Sequence, residues 1–109
     1  MKTNIFIDVD SFVDSVNSPE KTLFLTVILQ ALLDASKPST TNESERAKVD
    51  RERGRAWFNA TVGVTAEDFV IICDMAGVDP AYTREFAHKV LTSKEVDYVR
   101  KKINTILSS

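Results

Sequence analysis

Only two side chains in this sequence are of the types that most often carry covalent or metal chemistry. Cys73 is the single cysteine and His88 the single histidine. One thiol excludes an intramolecular disulfide, and one imidazole beside one thiol is too few for a zinc site. Cys73 falls on the apolar face of a predicted helix, which indicates a core thiol rather than a nucleophile. His88 has no second histidine or cysteine near it, and we expect it on the surface.

Acidic residues near the start of the chain are the other candidate metal ligands. Asp8, Asp10 and Asp14 lack the glycine and the terminal glutamate of a calcium-binding loop. They are therefore interpreted as a solvated acidic face. The sequence also has no glycine-rich phosphate loop and no Ser/His/Asp set. We predict that the protein is not an enzyme and has no cofactor, metal or small-molecule substrate.

Composition favours one small helical domain. The chain has 109 residues, of which 43% are hydrophobic and 28% charged, with only three glycines and three prolines. A chain so poor in turn residues is unlike a sandwich or barrel, and its length suits a single domain, 1–109. No secretory leader and no apolar run long enough to span a membrane is visible, so a cytoplasmic protein is expected.

Charge is distributed unevenly along the chain. The formal net charge is -2, which disfavours strong non-specific binding to nucleic acid. Residues 1–43 hold three Lys/Arg against six Asp/Glu, and residues 44–109 hold eleven against ten. The front part is thus acidic and the back part nearly neutral, which suggests two roles within one domain.

The elements that must position these residues begin with an ambiguous segment. Residues 3–16 fit both a strand and a helical stripe, and we favour an extended start followed by a helical turn. Ser18 and Pro19 then predict the start of a helix that runs to Ala35. This helix is apolar nearly all round, so it is either central or at an oligomer interface. A two-fold dimer would use the side that carries Leu25, Leu29 and Leu33.

Residues 36–43 are polar and are predicted to form a mobile linker. A charged helix follows from about Glu43, and its Lys/Arg and Asp/Glu residues are interleaved. This pattern fits a solvated helix with ion pairs, or a surface that faces phosphates. Trp57 is predicted to be a core anchor on the same side as Ala56 and Ala60.

The next segment has the spacing of a helix-turn-helix. Thr65–Asp68 resembles a capping box, and the helix after it ends at Gly77. Asp79 and Pro80 then start a second helix. The predicted inner residues are Phe69, Ile72, Cys73 and Ala76 in the first helix, the plug Val78, and Tyr82, Thr83, Phe86 and Val90 in the second. Arg84, Glu85, His88 and Lys89 are predicted to be exposed. This spacing indicates the local fold more strongly than it indicates DNA binding.

Thr92 is predicted to cap a final helix with an apolar stripe. That stripe comprises Val96, Val99, Ile103, Ile106 and Leu107, and the basic face comprises Arg100, Lys101 and Lys102. Cations near a helix C-terminus also suit the helix dipole, so the basic face requires no ligand.

Three pieces of the sequence resemble a known family. They are Val27–Asp34, Arg53–Phe58 and Phe69–Pro80 followed by Arg84, within residues 23–91. Their most specific parts are Ala-Trp-Phe and Cys-x-x-Ala-Gly-x-Asp-Pro. The chain thus resembles a family of small, largely uncharacterised helix-turn-helix-like proteins of tailed phages and proteobacteria. The resemblance implies a helix-turn-helix-like core and a phage context, but no agreed activity, and residues 1–20 lie outside it.

Three functions are compatible with this pattern. The first is a phage-type DNA-binding transcriptional regulator on double-stranded DNA. Arg84, His88 and Glu85 would reach base edges, and the phosphates would be held by Arg51, Arg53, Arg55, Lys89 and Lys94. The second is a protein-binding module that docks on a host enzyme through the acidic, apolar N-terminal half. The third is a structural or DNA-packaging component that oligomerises through the apolar helix.

Overall fold

A computed structural model describes residues 8–14, 16 and 18–108 of the chain. The described residues form six helices and no strand, so the predicted all-α class is confirmed. The helices are α1 (Val9–Asp14), α2 (Pro19–Ala35), α3 (Glu45–Asn59), α4 (Gly63–Ala76), α5 (Pro80–Thr92) and α6 (Val96–Leu107). The helical turn expected within residues 3–16 corresponds to α1, whereas residues 3–7, at the expected extended start, lie outside the described residues.

In this part of the chain no single helix is long and apolar enough to cross a membrane. The pair α3 and α4, bent by 78° at their junction, meets the length and composition criteria only when the two are taken together.

Local capping signals determine where α2 and α5 begin. The hydroxyl of Ser18 accepts the amide of Lys21 at 3.3 Å, and the carboxylate of Asp79 accepts the amide of Tyr82 at 2.8 Å. A proline follows each cap, where its missing N–H costs nothing. Both predicted starts are confirmed.

Two other predicted starts are wrong. Helix α4 begins at Gly63, two residues before the expected cap Thr65, and Val62 before it makes no side-chain capping bond. Gly63 has a φ of +89°, which only glycine adopts readily, so the chain turns there. Thr92, expected to cap α6, is the last residue of α5 and donates its hydroxyl to the carbonyl of His88 at 2.9 Å.

Helix α2 is the centre of the fold and packs against α3, α4 and α6. Leu25, Leu29 and Leu33 are 2%, 0% and 7% exposed, so the prediction that they line an oligomer interface is wrong. The cause is that the other helices of the same chain cover α2 on several sides. Its exposed large apolar residues are instead Leu23 and Val27.

Helices α2 and α3 approach each other closely at Gly54. A β-carbon at this position would lie 2.7 Å from the backbone nitrogen of Ala35 and 2.8 Å from the carbonyl oxygen of Ala31. Both neighbours are backbone atoms, which cannot rotate away. Glycine at this position therefore sets the distance between the two helices.

The buried face of α3 is shifted by one residue from the prediction, so that Phe58 rather than Trp57 is the most buried aromatic residue. Phe58 is buried, Trp57 is half-buried, and Ala56 is exposed rather than inward-facing. The Trp57 ring meets Phe58 and Phe69 edge to face, with centroids 5.2 and 5.0 Å apart. Trp57 therefore anchors α3 to α4, although Phe58 is the more deeply buried residue.

The connection between α2 and α3 is held against α3 by ion pairs near each end of the connection. Lys37 Nζ lies 2.9 Å from Asp50, and Glu43 binds Arg51 through both carboxylate oxygens at 2.7 and 2.9 Å. These bonds tie residues 37 and 43 of the predicted linker to the helix that follows.

Candidate functional site

The predicted helix-turn-helix is formed by α4, Gly77–Asp79 and α5. Gly77 adopts the left-handed backbone conformation, with a φ of +78°, and the amide of Val78 donates to the carbonyl of Cys73 at 3.0 Å. Helix α4 therefore ends at Gly77 in the way that is common for helices followed by glycine. Val78 and Phe86 are buried beneath the turn. The expected local fold is therefore present, with its inner positions filled as predicted except at Tyr82.

Cys73 and Thr83 lie where α4 and α5 cross. Both are fully buried, and burial raises the pKa of the Cys73 thiol to about 11. A thiol that stays protonated is a poor nucleophile, which agrees with its predicted place in the core. The hydroxyl of Thr83 is directed toward this thiol and makes no conventional hydrogen bond within the described chain.

Tyr82 was predicted to be buried, but it is 50% exposed. Its ring stacks near that of Phe12 from α1, with centroids 6.2 Å apart, and Phe12 also stacks on Phe86 at 4.6 Å. Ala87 is buried in α5 instead. Helix α1 therefore contacts α5 through Phe12, and it also packs against α6, where Asp10 pairs with Lys102 at 3.1 Å.

Arg84 was predicted to be exposed and to reach DNA bases, but the expected exposure is wrong. Its Nε donates to the carbonyl of Phe58 at 2.8 Å and its Nη2 to the carbonyl of Ala60 at 3.0 Å. Its guanidinium also lies over the ring of Phe69, 4.6 Å from the centroid. The last carbonyls of a helix have no partner within that helix, and Arg84 satisfies them at the end of α3.

Two more arginines serve the end of α2 in the same way. Arg55 Nε donates to the carbonyl of Ala35 at 3.0 Å. Arg100, from the predicted basic face of α6, donates to the carbonyl of Leu33 and, at 2.7 Å, to the hydroxyl of Ser36. These cations complement the negative end of the α2 dipole.

The other residues assigned to DNA remain on the surface or in ion pairs. Arg51 is held by Glu43, whose pKa is lowered chiefly by that hydrogen bond. Among the residues assigned to DNA, the exposed side chains that make no hydrogen bond or ion pair in the described part of the chain are those of Arg53, Glu85, His88, Lys89 and Lys94. They come from α3, α5 and the α5–α6 loop, and they include one carboxylate, so they form no purely basic patch.

Sequence reasoning missed a group of five exposed apolar side chains, which lies on α4 and the turn before it. We name this group the α4 apolar surface. Its members and their exposed fractions are Val62 (83%), Val64 (81%), Val70 (41%), Ile71 (57%) and Met75 (50%). Val62, Val70 and Ile71 line a shallow groove of about 660 Å³ together with Thr61, Gly63, Ala66 and Glu67.

Helical spacing orders this surface into a stripe. Val64, Ile71 and Met75 are separated by seven and four residues, which places them on one face of α4. That face is opposite the buried side, which carries Phe69 and Cys73. The helical spacing of Val64, Ile71 and Met75 could be read from the sequence. However, an exposed apolar stripe has the same spacing as a buried one, so the sequence does not tell which of the two stripes of α4 faces outward.

The charged residues of α4 itself are all negative. Helix α4 contains Glu67, Asp68 and Asp74 and no lysine or arginine. All three carboxylates are exposed, and Asp68 accepts the indole N–H of Trp57 at 2.9 Å. By helical position Glu67 and Asp74 lie on one side of the stripe and Asp68 lies on the other.

The described residues contain no group of three or more His, Cys, Asp or Glu side chains placed to hold a metal ion. Asp8, Asp10 and Asp14 are exposed at or near α1, in keeping with the predicted solvated face.

Comparison with known proteins adds no relative. No family model, no characterised protein and no solved structure matches this chain. The resemblance to small phage proteins therefore stays a prediction, and the function rests on the surface geometry.

Proposed function

We propose that this chain is a protein-binding module that docks a partner protein through the α4 apolar surface. The observation that carries the proposal is the exposure of Val62, Val64, Ile71 and Met75, each at least half exposed, on the turn before α4 and along one face of that helix. Contiguous apolar patches on a small soluble domain are typical of interaction sites, whereas single exposed apolar residues are not.

The fold itself gives no reason for this stripe. Helix α4 already buries Ala66, Phe69, Cys73 and Ala76 against the core, and these four residues suffice to attach an amphipathic helix. Polar side chains at positions 64, 71 and 75 would leave that packing intact. Their apolar character therefore fits a contact outside the chain.

This proposal keeps the partner-protein hypothesis but changes the surface. The N-terminal half was expected to provide the docking face, yet the leucines of α2 are internal. The α4 apolar surface belongs to the helix-turn-helix unit, and such units bind proteins as well as nucleic acid.

A capture experiment with two matched variants tests the proposal. Tagged wild-type protein, Ile71→Asp and Ala81→Asp are incubated with nuclease-treated lysate of the producing cells, and the retained proteins are quantified by mass spectrometry. Both variants place one new carboxylate on an exposed helical position, in α4 and in α5 respectively. We expect Ile71→Asp to lose a partner that the wild type and Ala81→Asp retain. A partner retained equally by all three would refute the role of this surface.

Binding to duplex DNA is the second candidate, and the helix-turn-helix geometry supports it. Ala81, Glu85, His88 and Lys89 occupy the outer face of α5, where a recognition helix would meet the major groove. Fluorescence anisotropy with duplex DNA at about 50 mM salt, where phosphate contacts are strong, tests it directly. Binding that falls when Lys89 is replaced by alanine supports this function, and no binding at that salt concentration removes it.

A further inference from the structure

We infer that the occupant of the α4 apolar surface is a cationic amphipathic helix of the partner protein, and not a second copy of this chain. The inference rests on the proposed function and specifies the chemistry of the partner. It is carried by the shape of the surface and by the sign of the charges around it.

The shape of the surface suits a helix. The stripe from Val64 to Met75 spans twelve residues, and the eleven steps between them correspond at the usual helical rise to about 16 Å, or three turns. A helix with apolar residues at i, i+3 or i+4, and i+7 presents anchors over a comparable length. The described residues contain no β-strand, so they offer no sheet edge to which an extended peptide could be added.

The rim of the surface selects positive charge. Carboxylates stand on both sides of the stripe, with Glu67 and Asp74 on one side and Asp68 on the other, and α4 itself contributes no cation. A partner helix with lysine or arginine beside its apolar residues would place opposite charges along both edges. Complementary rim charges speed association and select among partners.

Two cations lie near α4, and neither pairs with the rim carboxylates. Arg84 lies over the ring of Phe69, on the buried side of the helix. The Lys21 side chain packs against Gly77, after the last turn of α4, where a cation complements the helix dipole. Among the described residues, Glu67, Asp68 and Asp74 form no ion pair.

A second copy of the chain fits this rim poorly. A two-fold dimer through the α4 apolar surface would bring the same patch from both protomers together. The carboxylates of Glu67, Asp68 and Asp74 would then face a second set of the same carboxylates. Like charges placed opposite each other at an interface disfavour association.

The test uses two fluorescent 18-residue peptides with the full-length protein. Both carry the same leucine stripe at helical spacing, and the remaining positions are rich in lysine in one peptide and in glutamate in the other. We expect the lysine peptide to bind at least about tenfold more tightly by fluorescence anisotropy, and its binding to weaken as salt screens the rim charges.

Three variants separate a specific site from simple charge attraction. Ile71→Asp makes the surface more acidic, so general attraction would strengthen lysine-peptide binding, whereas loss of the apolar contact abolishes it. The double variant Glu67→Lys/Asp74→Lys should reverse the preference in favour of the glutamate peptide. Glu52→Lys, an exposed charge reversal on α3, is the control and should leave the preference unchanged.

The outcomes distinguish this inference from the proposed function. If both peptides bind equally, or neither binds, while Ile71→Asp still loses its lysate partner, the cationic helix is wrong and the docking surface stands. If sedimentation shows a wild-type dimer that Ile71→Asp dissociates, the occupant is a second copy and the inference is overturned. If the lysate partner survives Ile71→Asp, the proposed function itself fails.

Discussion

Replacement of Arg84 distinguishes a DNA-reading arginine from a structural one. If the side chain read bases, Arg84→Ala would leave folding unaffected. In the structure the same change removes two hydrogen bonds to the carbonyls of Phe58 and Ala60 and the contact with the Phe69 ring. It therefore releases the end of α3 from α5.

The expected loss follows from these contacts. Hydrogen bonds that involve a charged group contribute about 1.5–3 kcal/mol each, and a partly exposed cation–π contact contributes roughly 0.5–1 kcal/mol. Arg84 is half-buried, so water replaces part of each lost interaction, and we take a total near the lower end of the summed range. Arg84→Ala should lower the free energy of unfolding by about 3–4 kcal/mol, a large share of the stability of a small domain.

Urea denaturation, followed by helical circular dichroism and the fluorescence of Trp57, measures this loss. Arg53→Ala is the matched control, because Arg53 is exposed and makes no described hydrogen bond, and it should change stability by less than about 0.5 kcal/mol. Arg84→Lys should fall between the two, since an ammonium group cannot reproduce the planar fork. Equal stability of Arg84→Ala and Arg53→Ala would refute the structural role.

Three further predictions concern stability. Gly54→Ala should lower the free energy of unfolding, measured by urea denaturation, by about 1–3 kcal/mol although alanine favours helices, because its β-carbon would meet backbone atoms within 3 Å. A more stable variant would contradict the close packing of α2 and α3. Thr83→Val should raise the unfolding free energy by about 1 kcal/mol, because it removes a buried hydroxyl that lacks a conventional partner, and an unchanged or lower value would show that the hydroxyl is satisfied. The pKa of Glu43 is held below its ordinary value of 4.5, chiefly by its hydrogen bond to Arg51. The Glu43–Arg51 pair therefore stabilises the fold fully above pH 4.5, and this contribution is lost as the pH falls through the lowered pKa. Glu43→Gln should therefore flatten the acid limb of a melting-temperature profile, and an unaltered limb would show that the pair contributes nothing.

The parts of the fold that could be predicted are those fixed by neighbours in sequence. Ser18, Asp79 and Gly77 act on backbone groups within five residues, so their residue types alone indicate where helices begin and end. Thr65 shows the limit of this reasoning. Its hydroxyl and the nearby acids match a capping box, but the chain turns two residues earlier, at Gly63.

Contacts between distant residues could not be predicted in this way. Arg84 binds carbonyls 24 and 26 residues away, and every residue carries a carbonyl, so the sequence offers no signal for that choice. Gly54 gave no signal either, because its role depends on the position of α2. The interface predicted at the leucines of α2 was wrong for the same reason, because periodicity cannot tell a neighbouring helix of the same chain from a second chain.

These internal contacts change what the count of basic residues implies. The chain has six arginines, and four of them, Arg51, Arg55, Arg84 and Arg100, donate to oxygens of the chain itself. Bidentate reading of guanine is mainly performed by arginine, and the cations left exposed on α5 and the following loop are lysines. Any DNA binding through α5 would therefore rely on phosphate contacts with little sequence preference. The carboxylates of Glu67, Asp68 and Asp74 on α4, by contrast, form no ion pair among the described residues, and Asp68 accepts a hydrogen bond from the neutral indole of Trp57. Under the proposed function, we therefore expect selective binding at α4, the helix that precedes the expected reading helix.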